Sequence, residues 1–579
     1  MDSQQFKDLM QKVELDAQLE ALEDRIAHMN IDSTVNTELT VEMTSATQMT
    51  MVTQSNEVTI QTQMGIEEET KQSVSAASKK KKKKTTKAST VSTDGPASNL
   101  RSRIKDFQNS KQIQMVKPKV GVVFDEEMLL HKNHREHHPE RPERAMAIYL
   151  NLLNKGIYIE LRPLEVEPAE DKYLELVHPH SHIQKIKNII YDPKYKDKET
   201  LLALHHNTFR FQKDTYENKH TATSAYMSAG GAIEGTRAVL NNEVDSAFCI
   251  IRPPGHHASC QNAAGFCFFN NAAVAARYAQ KEFGIKKVAI FDWDVHVGDG
   301  TSDVFYEDDS VLYMSIHRFD NGAFYPGPAG KHNKVGDHKG RGYNIHFPFN
   351  VEKNHKNLVG DTDYIYAVEQ VFIPLIKEFQ PEFFIISAGF DSALGDPLGQ
   401  VGVTPLGYAY MTQVFRQLCP RTVVLLEGGY DLHALSVSSE AVVQMLRIHT
   451  NDSEGVDNYI HQLHCENVER EAIEDPMKQI NIETLPKHGM EQMRIKSLIH
   501  PRESFKQTAS KLAKELLKKW PFMEHLIFEK IRRKSSAVKS DYSSDDNDSL
   551  NGLGHLRKIG RSQSHQVEDP IEEEDVNQQ

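Results

Sequence analysis

The sequence predicts an α/β fold with a mostly parallel sheet that is covered by helices on both faces. Two observations predict it. Short apolar runs of strand length recur between residues 117 and 449, and several of them are separated by segments with helical periodicity. Because strands that alternate with helices pair in parallel, the side chains that carry chemistry are expected in the loops after the carboxyl ends of the strands.

Six runs in this region are predicted as buried strands, because they are short and rich in β-branched or aromatic residues. They are Val120–Phe124, Ala247–Ile251, Lys287–Phe291, Val311–Met314, Phe383–Ile386 and Val423–Leu426. Two intervening segments, Ala272–Phe283 and Ala367–Phe379, are predicted as helices. The predicted organisation is one large α/β domain over residues 116–450 between two polar regions, 1–115 and 451–579.

The N-terminal region, residues 1–115, lacks the pattern of a folded core and is predicted to be mostly disordered, most clearly over residues 32–78. A short amphipathic helix is predicted over about residues 5–29, where apolar side chains recur four and three residues apart. A solvated helix and a coiled coil that forms a homo-oligomer both fit this spacing. The lysine run at residues 79–84 fits either a solvated tail or a patch for nuclear import or nucleic acid.

The C-terminal region, residues 451–579, is also polar. Basic amphipathic helices are predicted over about residues 503–533, with Leu512, Leu516 and Leu517 on the apolar side. The serine- and aspartate-rich tract Asp541–Ser549 predicts a disordered acidic tail that phosphorylation would make more negative.

Composition narrows the functional classes. The formal net charge is −13, so any contact with nucleic acid must be local, and direct sequence-specific binding is not expected. The five cysteines form no CxxC pair, which suits a reducing compartment. The first residues lack the pattern of a signal peptide, and no run of about 18 apolar residues occurs. We therefore expect a soluble intracellular protein with no membrane partner.

The most informative motif follows the predicted strand that ends at Phe291. Asp292, Asp294 and His296 share one parity, so an extended backbone presents them on the same side. Carboxylates and an imidazole that converge at a strand end are costly to bury unless a cation binds them. The motif therefore predicts a metallohydrolase, and its residue types would accept iron as well as zinc.

Further polar motifs follow other predicted strands. His256 and His257 lie in the loop 252–258, which two prolines and a glycine hold in place, so one imidazole can act as a base and the other as an acid. Asp391 offers a third metal ligand, and Tyr430 is a candidate donor to a developing oxyanion. Phe266 and the segment 322–326 fit either aromatic core packing or the two walls of an apolar slot for an alkyl chain.

Together these motifs resemble the zinc-dependent histone deacetylase family, most closely its class II members. The matched segments are RPPGHHA (252–258), GFCFFN (265–270), DWDVHVGDGT (292–301), SAGFDSALGDPLG (387–399) and LEGGYD (426–431). The resemblance extends back to residues 138–144, so it covers about 117–450. It implies the arginase/deacetylase fold, a single large three-layer domain whose sheet has about eight strands.

The resemblance also implies roles for individual residues. Zinc would be bound by Asp294, His296 and Asp391, with positions left for water and the substrate oxygen. The catalytic group would consist of His256 supported by Asp292, His257 supported by Asp299, and Tyr430 as the oxyanion donor. The substrate chain would contact Gly265, Phe266, Tyr325 and Leu398, and Arg144 would line an acetate exit. A monovalent cation, K⁺, would lie near Asp292, Asp294, His296 and Ser315.

Three residues depart from the family pattern. Val297 replaces a second histidine that is not a ligand, so little effect is expected. Asp299 stands where close class II relatives have asparagine, which should make His257 more basic. Tyr325 stands where phenylalanine is typical, which adds a hydroxyl to the slot.

The resemblance implies a deacetylase of N6-acetyl-lysine in histone tails and other proteins such as tubulin, with a role in chromatin and transcription. Two alternatives are an acetylpolyamine deacetylase of the same fold and a weakly active scaffold or corepressor. Leu398 argues against the first, because that branch is expected to have glutamate there. Tyr430 argues against the second, because that branch lacks the tyrosine. Expected partners are acetylated proteins and a corepressor or chromatin complex that contacts the tails, and the expected location is the nucleus, shared with the cytoplasm.

Overall fold

The computed structural model describes residues 39–45, 48–53, 120–133, 138–191, 215–351, 358–474 and 489–527. Two short strands, β1 (Leu39–Ser45) and β2 (Gln48–Thr53), form an antiparallel hairpin within the segment that the sequence predicted to be disordered. The predicted N-terminal helix, the lysine run and the acidic tail lie outside the described residues, as does residue 528 onward.

Eight strands form one sheet, and every strand pair in it is parallel. In chain order they are β3 (Val120–Val123), β4 (Arg162–Leu164), β5 (Ser246–Cys249), β6 (Val288–Asp292), β7 (Val311–Arg318), β8 (Asn344–Phe349), β9 (Phe383–Ala388) and β10 (Thr422–Leu426). Their order across the sheet is β4-β3-β5-β10-β9-β6-β7-β8. The predicted parallel α/β fold with about eight strands is confirmed.

Helices flank this sheet. They are α1 (Glu143–Asn154), α2 (Asp171–Leu174), α3 (His180–Lys187), α4 (Thr221–Leu240), α5 (Asn271–Phe283), α6 (Asp299–Val304), α7 (Asp361–Ala367), α8 (Ile373–Phe379), α9 (Pro405–Leu418), α10 (Leu432–Arg447), α11 (Ser453–Glu474), α12 (Gly489–Ile499) and α13 (Glu503–Leu516). A turn of π-helix, Val368–Phe372, joins α7 to α8. None of the described helices has the length and hydrophobicity needed to cross a bilayer.

The core lies on both faces of the sheet. Strands such as β6 and β9 are buried at every position, which explains why they are continuous apolar runs rather than alternating ones. All six predicted strands are present, with ends displaced by a few residues. The sequence missed β4 and β8. β4 has only three residues. In β8 the apolar pattern is interrupted by the polar residues Asn344 and His346 and by Pro348.

The hydrophobic core of the sheet also includes residues after position 450, where the sequence predicts the end of the central domain, and it extends to Leu526. Phe505 stacks on Phe349 of β8 with ring centroids 5.7 Å apart, and Leu512 and Leu516 are fully buried in the same core as the sheet. The indole of Trp520 donates a hydrogen bond to the carbonyl of Gly342 (2.7 Å). The apolar side of the helix Glu503–Leu516 covers the sheet, since an apolar helix face is stabilised only when something buries it.

Candidate active site

The candidate site lies at the carboxyl end of the sheet, where four neighbouring strands end. These strands, β5, β10, β9 and β6, are adjacent in that order, although they are far apart in the chain. The loops that follow them carry the histidine pair, the Glu-Gly-Gly-Tyr segment, Asp391 and the Asp-Trp-Asp-Val-His segment. The sheet therefore brings together four motifs that the sequence presents separately.

Asp294, His296 and Asp391 converge on one point. Nδ1 of His296 lies 3.0 Å from Oδ1 of Asp294 and 3.1 Å from Oδ2 of Asp391. One candidate ligand atom from each residue lies within 4.8 Å of the others, and this is the single group of metal-binding type in the described part of the chain. A side chain at position 428 would clash with this cluster, since a Cβ on Gly428 would lie 2.4 Å from Asp391 Oδ2.

Each histidine of the pair has its own carboxylate. His256 Nδ1 lies 3.1 Å from Asp292 Oδ2, and His257 Nδ1 lies 2.7 Å from Asp299 Oδ1. The two rings are 4.0 Å apart. Asp292 therefore contacts a histidine and is not part of the metal-binding cluster. The spacing of Asp292 and Asp299 along the chain places one carboxylate at each of the two rings.

The two histidines differ in proton affinity. Burial opposes protonation of His256, but the carboxylates of Asp294 and Asp292 outweigh it and hold its pKa well above the ordinary value. Burial and the charge of His256 lower the pKa of His257 to about 4, although Asp299 raises it. Asp299 therefore acts in the predicted direction but does not make His257 a strong base, because burial and the neighbouring imidazole dominate.

Glu427 is a site residue for which no role was predicted. Its fully buried carboxylate accepts hydrogen bonds from the backbone N–H of Gly255 (2.7 Å) and of His256 (3.1 Å), and from the hydroxyl of Ser387 (3.2 Å). Burial raises its pKa to about 7, against the charge of His256. The available signal was a charged residue directly after the apolar strand β10 and before two glycines.

Tyr430 is held in its loop by two other residues. Its backbone N–H donates to Asp396 Oδ2 (2.7 Å), and the same carboxylate group accepts from Leu398 N (2.9 Å). Arg144 is fully buried, lies 5.2 Å from the Tyr430 ring centroid and donates from Nε to the carbonyl of Gly429 (2.5 Å). Nη1 of Arg144 bonds to buried Glu140 (3.1 Å), which also receives two hydrogen bonds from Arg252.

The residues predicted as slot walls lie beside these groups. The Phe266 ring is 6.1 Å from the ring of Tyr430, and the Tyr325 ring is 5.0 Å from that of His257. A Cβ on Gly265 would lie 2.3 Å from the His257 ring, so this position needs glycine. Tyr325 and Leu398 are each 37% exposed, unlike the buried residues beneath them.

Ser315 lies beside Asp292, on the neighbouring strand β7. It is the register partner of Asp292 across β6 and β7, and its hydroxyl is 2.9 Å from Nδ1 of His317. The predicted cation-site residues Asp292, Asp294, His296 and Ser315 are thus close together.

The chain is similar to known proteins over the region that contains these site residues. The family described as the histone deacetylase domain matches residues 138–446. Histone deacetylase 15 of Arabidopsis thaliana is 41% identical over 331 residues, which cover 56% of this chain and 56% of that protein. Histone deacetylase HDA1 of Saccharomyces cerevisiae is 36% identical, with 57% of this chain and 48% of that protein covered.

Two further similarities are to a polyamine deacetylase and to a solved structure. Polyamine deacetylase HDAC10 of Mus musculus is 38% identical, with 53% of this chain and 44% of that protein covered. The crystal structure of the HDA15 HD domain superposes with a TM-score of 0.57 at 33% identity, covering 71% of this chain and 98% of that one. The matches span about half of the length of the curated relatives. Because the family match covers more than half of the sequence, this chain belongs to the histone deacetylase family.

Proposed function

We propose that this protein is a metal-dependent lysine deacetylase that hydrolyses the N6-acetyl amide of lysine in proteins to lysine and acetate. The observation that carries the proposal is the juxtaposition of a cluster of metal-binding type with two histidines, each backed by its own carboxylate. An amide hydrolase needs an activated water, a base and an acid, and this arrangement contains residues for all three tasks.

The residues fit a zinc ion. Two carboxylates and one imidazole are zinc-binding types, and they converge from two loops. Glycine at position 428 keeps a side chain out of the space beside the two carboxylates. Zinc bound there would polarise the acetyl carbonyl and lower the pKa of a bound water. Asp294, His296 and Asp391 are therefore proposed as the ligands.

The remaining chemistry is assigned to protein side chains. His257 takes the proton of the attacking water, and a histidine of the pair returns a proton to the leaving amine. Asp292 and Asp299 orient the two rings, since each carboxylate fixes which ring nitrogen carries the proton. Tyr430 donates a hydrogen bond to the oxyanion of the tetrahedral intermediate.

Substrate binding is assigned to the slot walls. Phe266 lies beside Tyr430 and Tyr325 lies beside His257, and both rings offer apolar surfaces to the lysine methylenes, together with Gly265 and Leu398. Arg144 is proposed to line the path by which acetate leaves, because its guanidinium is buried behind Tyr430. K⁺ is proposed to bind near Asp292, Asp294, the His296 carbonyl and Ser315.

Histone tails are the proposed substrates, and tubulin and other acetylated proteins present the same side chain. A polyamine deacetylase is the second candidate, because the mouse polyamine deacetylase is among the relatives. Leu398, exposed at the site, offers a cationic polyamine no carboxylate, which favours protein substrates.

The deciding experiment is a deacetylation assay on acetylated histone peptides, acetylated tubulin and acetylpolyamines, with and without a hydroxamate chelator. We expect turnover of protein-derived acetyl-lysine that the chelator abolishes. Turnover restricted to polyamines would select the second candidate. No turnover of any substrate would support the scaffold alternative.

The ligand assignment has its own test. Asp294→Ala should remove the metal and the activity together, because two remaining ligands bind zinc weakly. Elemental analysis of the purified variant is the measurement, with Asp309→Ala, at an exposed aspartate before β7, as a control that should keep metal and activity. Full metal occupancy in Asp294→Ala would contradict the assignment.

A nuclear location shared with the cytoplasm is proposed from the lysine run, together with partners in a chromatin complex and self-association through the N-terminal helix. Replacing residues 79–84 by glutamines should move a fluorescently tagged protein towards the cytoplasm, because import receptors recognise clustered positive charge. Imaging measures the ratio between compartments, with Lys511→Gln as a control. An unchanged ratio would reject import through this run.

A further inference from the structure

Arg318, the last residue of β7, lies outside the catalytic set but contacts the loops around it. Its guanidinium carbon is 4.4 Å from the centroid of the Phe324 ring, and Nε donates a hydrogen bond to Asp320 Oδ2 (2.7 Å). Both partners belong to the segment that leads to Tyr325. The side chain is only 14% exposed, so these contacts are largely shielded from solvent.

The same residue reaches two further loops. Nη1 donates to the carbonyl of Gly399 (3.0 Å), in the loop that carries Asp391 and Leu398. Its backbone N–H donates to the carbonyl of Val295 (2.9 Å), between two proposed metal ligands. One arginine therefore connects the segments after β6, β7 and β9.

These contacts lead directly to the substrate slot. Phe324 stacks on the His296 ring, with centroids 5.0 Å apart and planes 12° from parallel. Its neighbour Tyr325 forms one wall, while Leu398 precedes the Gly399 carbonyl that Arg318 binds. Tyr325 and Leu398 are the exposed large apolar side chains at this end of the described sheet, at 37% each.

We propose that Arg318 is a positioning residue that sets the distance between Tyr325, one wall of the slot, and Leu398 beside the slot, and so determines how tightly the slot binds the alkyl chain of the substrate. The inference rests on the proposed deacetylase function. Arg318 touches neither the metal nor the substrate, and it acts through its contacts with Phe324 and Gly399.

Arginine suits this task because its planar fork can stack on a ring and donate to several acceptors at once. Lysine can retain the stacking charge and one hydrogen bond but not the full set. If Arg318 only formed a surface ion pair with Asp320, that pair would contribute little to stability, and its loss would leave substrate binding unchanged.

The test compares Arg318→Met and Arg318→Lys with a matched control, Arg277→Met. Arg277 makes the same kinds of contact elsewhere, with its guanidinium 4.8 Å from the Phe305 ring and 2.6 Å from Asp308. For each variant kcat and KM are measured on a short acetyl-lysine substrate and on a longer acetylated peptide, together with zinc content and melting temperature.

We expect Arg318→Met to raise KM by about 5- to 10-fold on both substrates while kcat stays within about 2-fold, because uniform binding of the alkyl chain is lost. Arg318→Lys should give an intermediate KM, and Arg277→Met should match the wild type. Zinc content should be unchanged in all three proteins.

Three outcomes would overturn the inference in different ways. An unchanged KM in Arg318→Met would show that the slot does not depend on Arg318. A KM increase that Arg277→Met shares would indicate general destabilisation. If Arg318→Met does not fold, a wild-type KM in Arg318→Lys decides against the proposal. A wild-type protein without deacetylase activity would instead reject the proposed function itself.

Discussion

Carboxylates decide what each histidine of the candidate site can do. The motif that contains Asp292, Asp294 and Asp299 looks like a set of equivalent acids in the sequence. In the structure, Asp294 lies in the metal-type cluster, whereas Asp292 and Asp299 bind one ring each. The difference arises because β6 ends at Asp292, so the residues after it no longer alternate as in a strand.

Tyr430 gives a sharp test at the scale of a single residue. Tyr430→Phe should lower kcat by on the order of 10²-fold, because a donor to the oxyanion acts mainly in the transition state. Metal content should stay at the wild-type level. Steady-state kinetics and elemental analysis are the measurements.

Tyr325→Phe is the matched control for that variant, since it removes the same hydroxyl from another aromatic residue of the site. It should keep kcat within about 3-fold, because the ring supplies the contact surface. Near-normal turnover in Tyr430→Phe would contradict the oxyanion role.

At the scale of elements, α13 is part of the domain rather than an appendage. Its buried residues, among them Phe505 and Leu512, pack beside β8, which is an edge strand of the sheet. Arg502, just before the helix, donates from Nε to Asp363 Oδ2 (2.9 Å) at the start of α7. A helix that covers an edge also removes a surface on which other strands could pair.

Leu512→Ala tests this packing. It should lower the free energy of unfolding by about 2–5 kcal/mol, the usual cost of emptying a fully buried leucine site. The neighbouring exposed residue supplies the control, since Lys511→Ala should change the free energy by less than about 0.5 kcal/mol. Chemical denaturation measures both. Equal small losses would mean that α13 is only loosely attached.

At the scale of the whole molecule, the domain buries several neutral histidines away from the candidate site. Burial, assisted by Arg252, lowers the pKa of His131 to about 3, and burial likewise lowers those of His178 and His346 to about 3. Below pH 6.5 the unfolded chain therefore binds protons that the folded protein does not.

Glu427, whose pKa burial raises to about 7, favours the folded state as the pH decreases, but each of these histidines should lower the stability by up to about 1.4 kcal/mol per pH unit between pH 6.5 and 3. Their contribution is fully present above pH 6.5. Urea unfolding at pH 7, 6 and 5 measures how the free energy of unfolding changes with pH. His346→Gln should reduce this slope by the contribution of one protonating histidine. The same dependence on pH in His346→Gln and in the wild type would contradict the prediction.

The sequence by itself determined the fold class, the strands that form the centre of the sheet and the residue types of the site. It could do so because fully buried parallel strands leave continuous apolar runs, and because polar motifs directly after such runs have few uses other than chemistry. Short β4 and polar β8 left no comparable signal, so neither was predicted.

Only the tertiary structure decided which residues meet. The order β5-β10-β9-β6 brings His256, Glu427, Asp391 and Asp294 together from distant parts of the chain, and nothing local in the sequence encodes that order. The same holds for Glu427, whose role depends on backbone N–H groups some 170 residues away. It also holds for Arg318, whose partners lie in three loops. Pairings of this kind come from the packing of the whole sheet, which the pattern along the chain does not record.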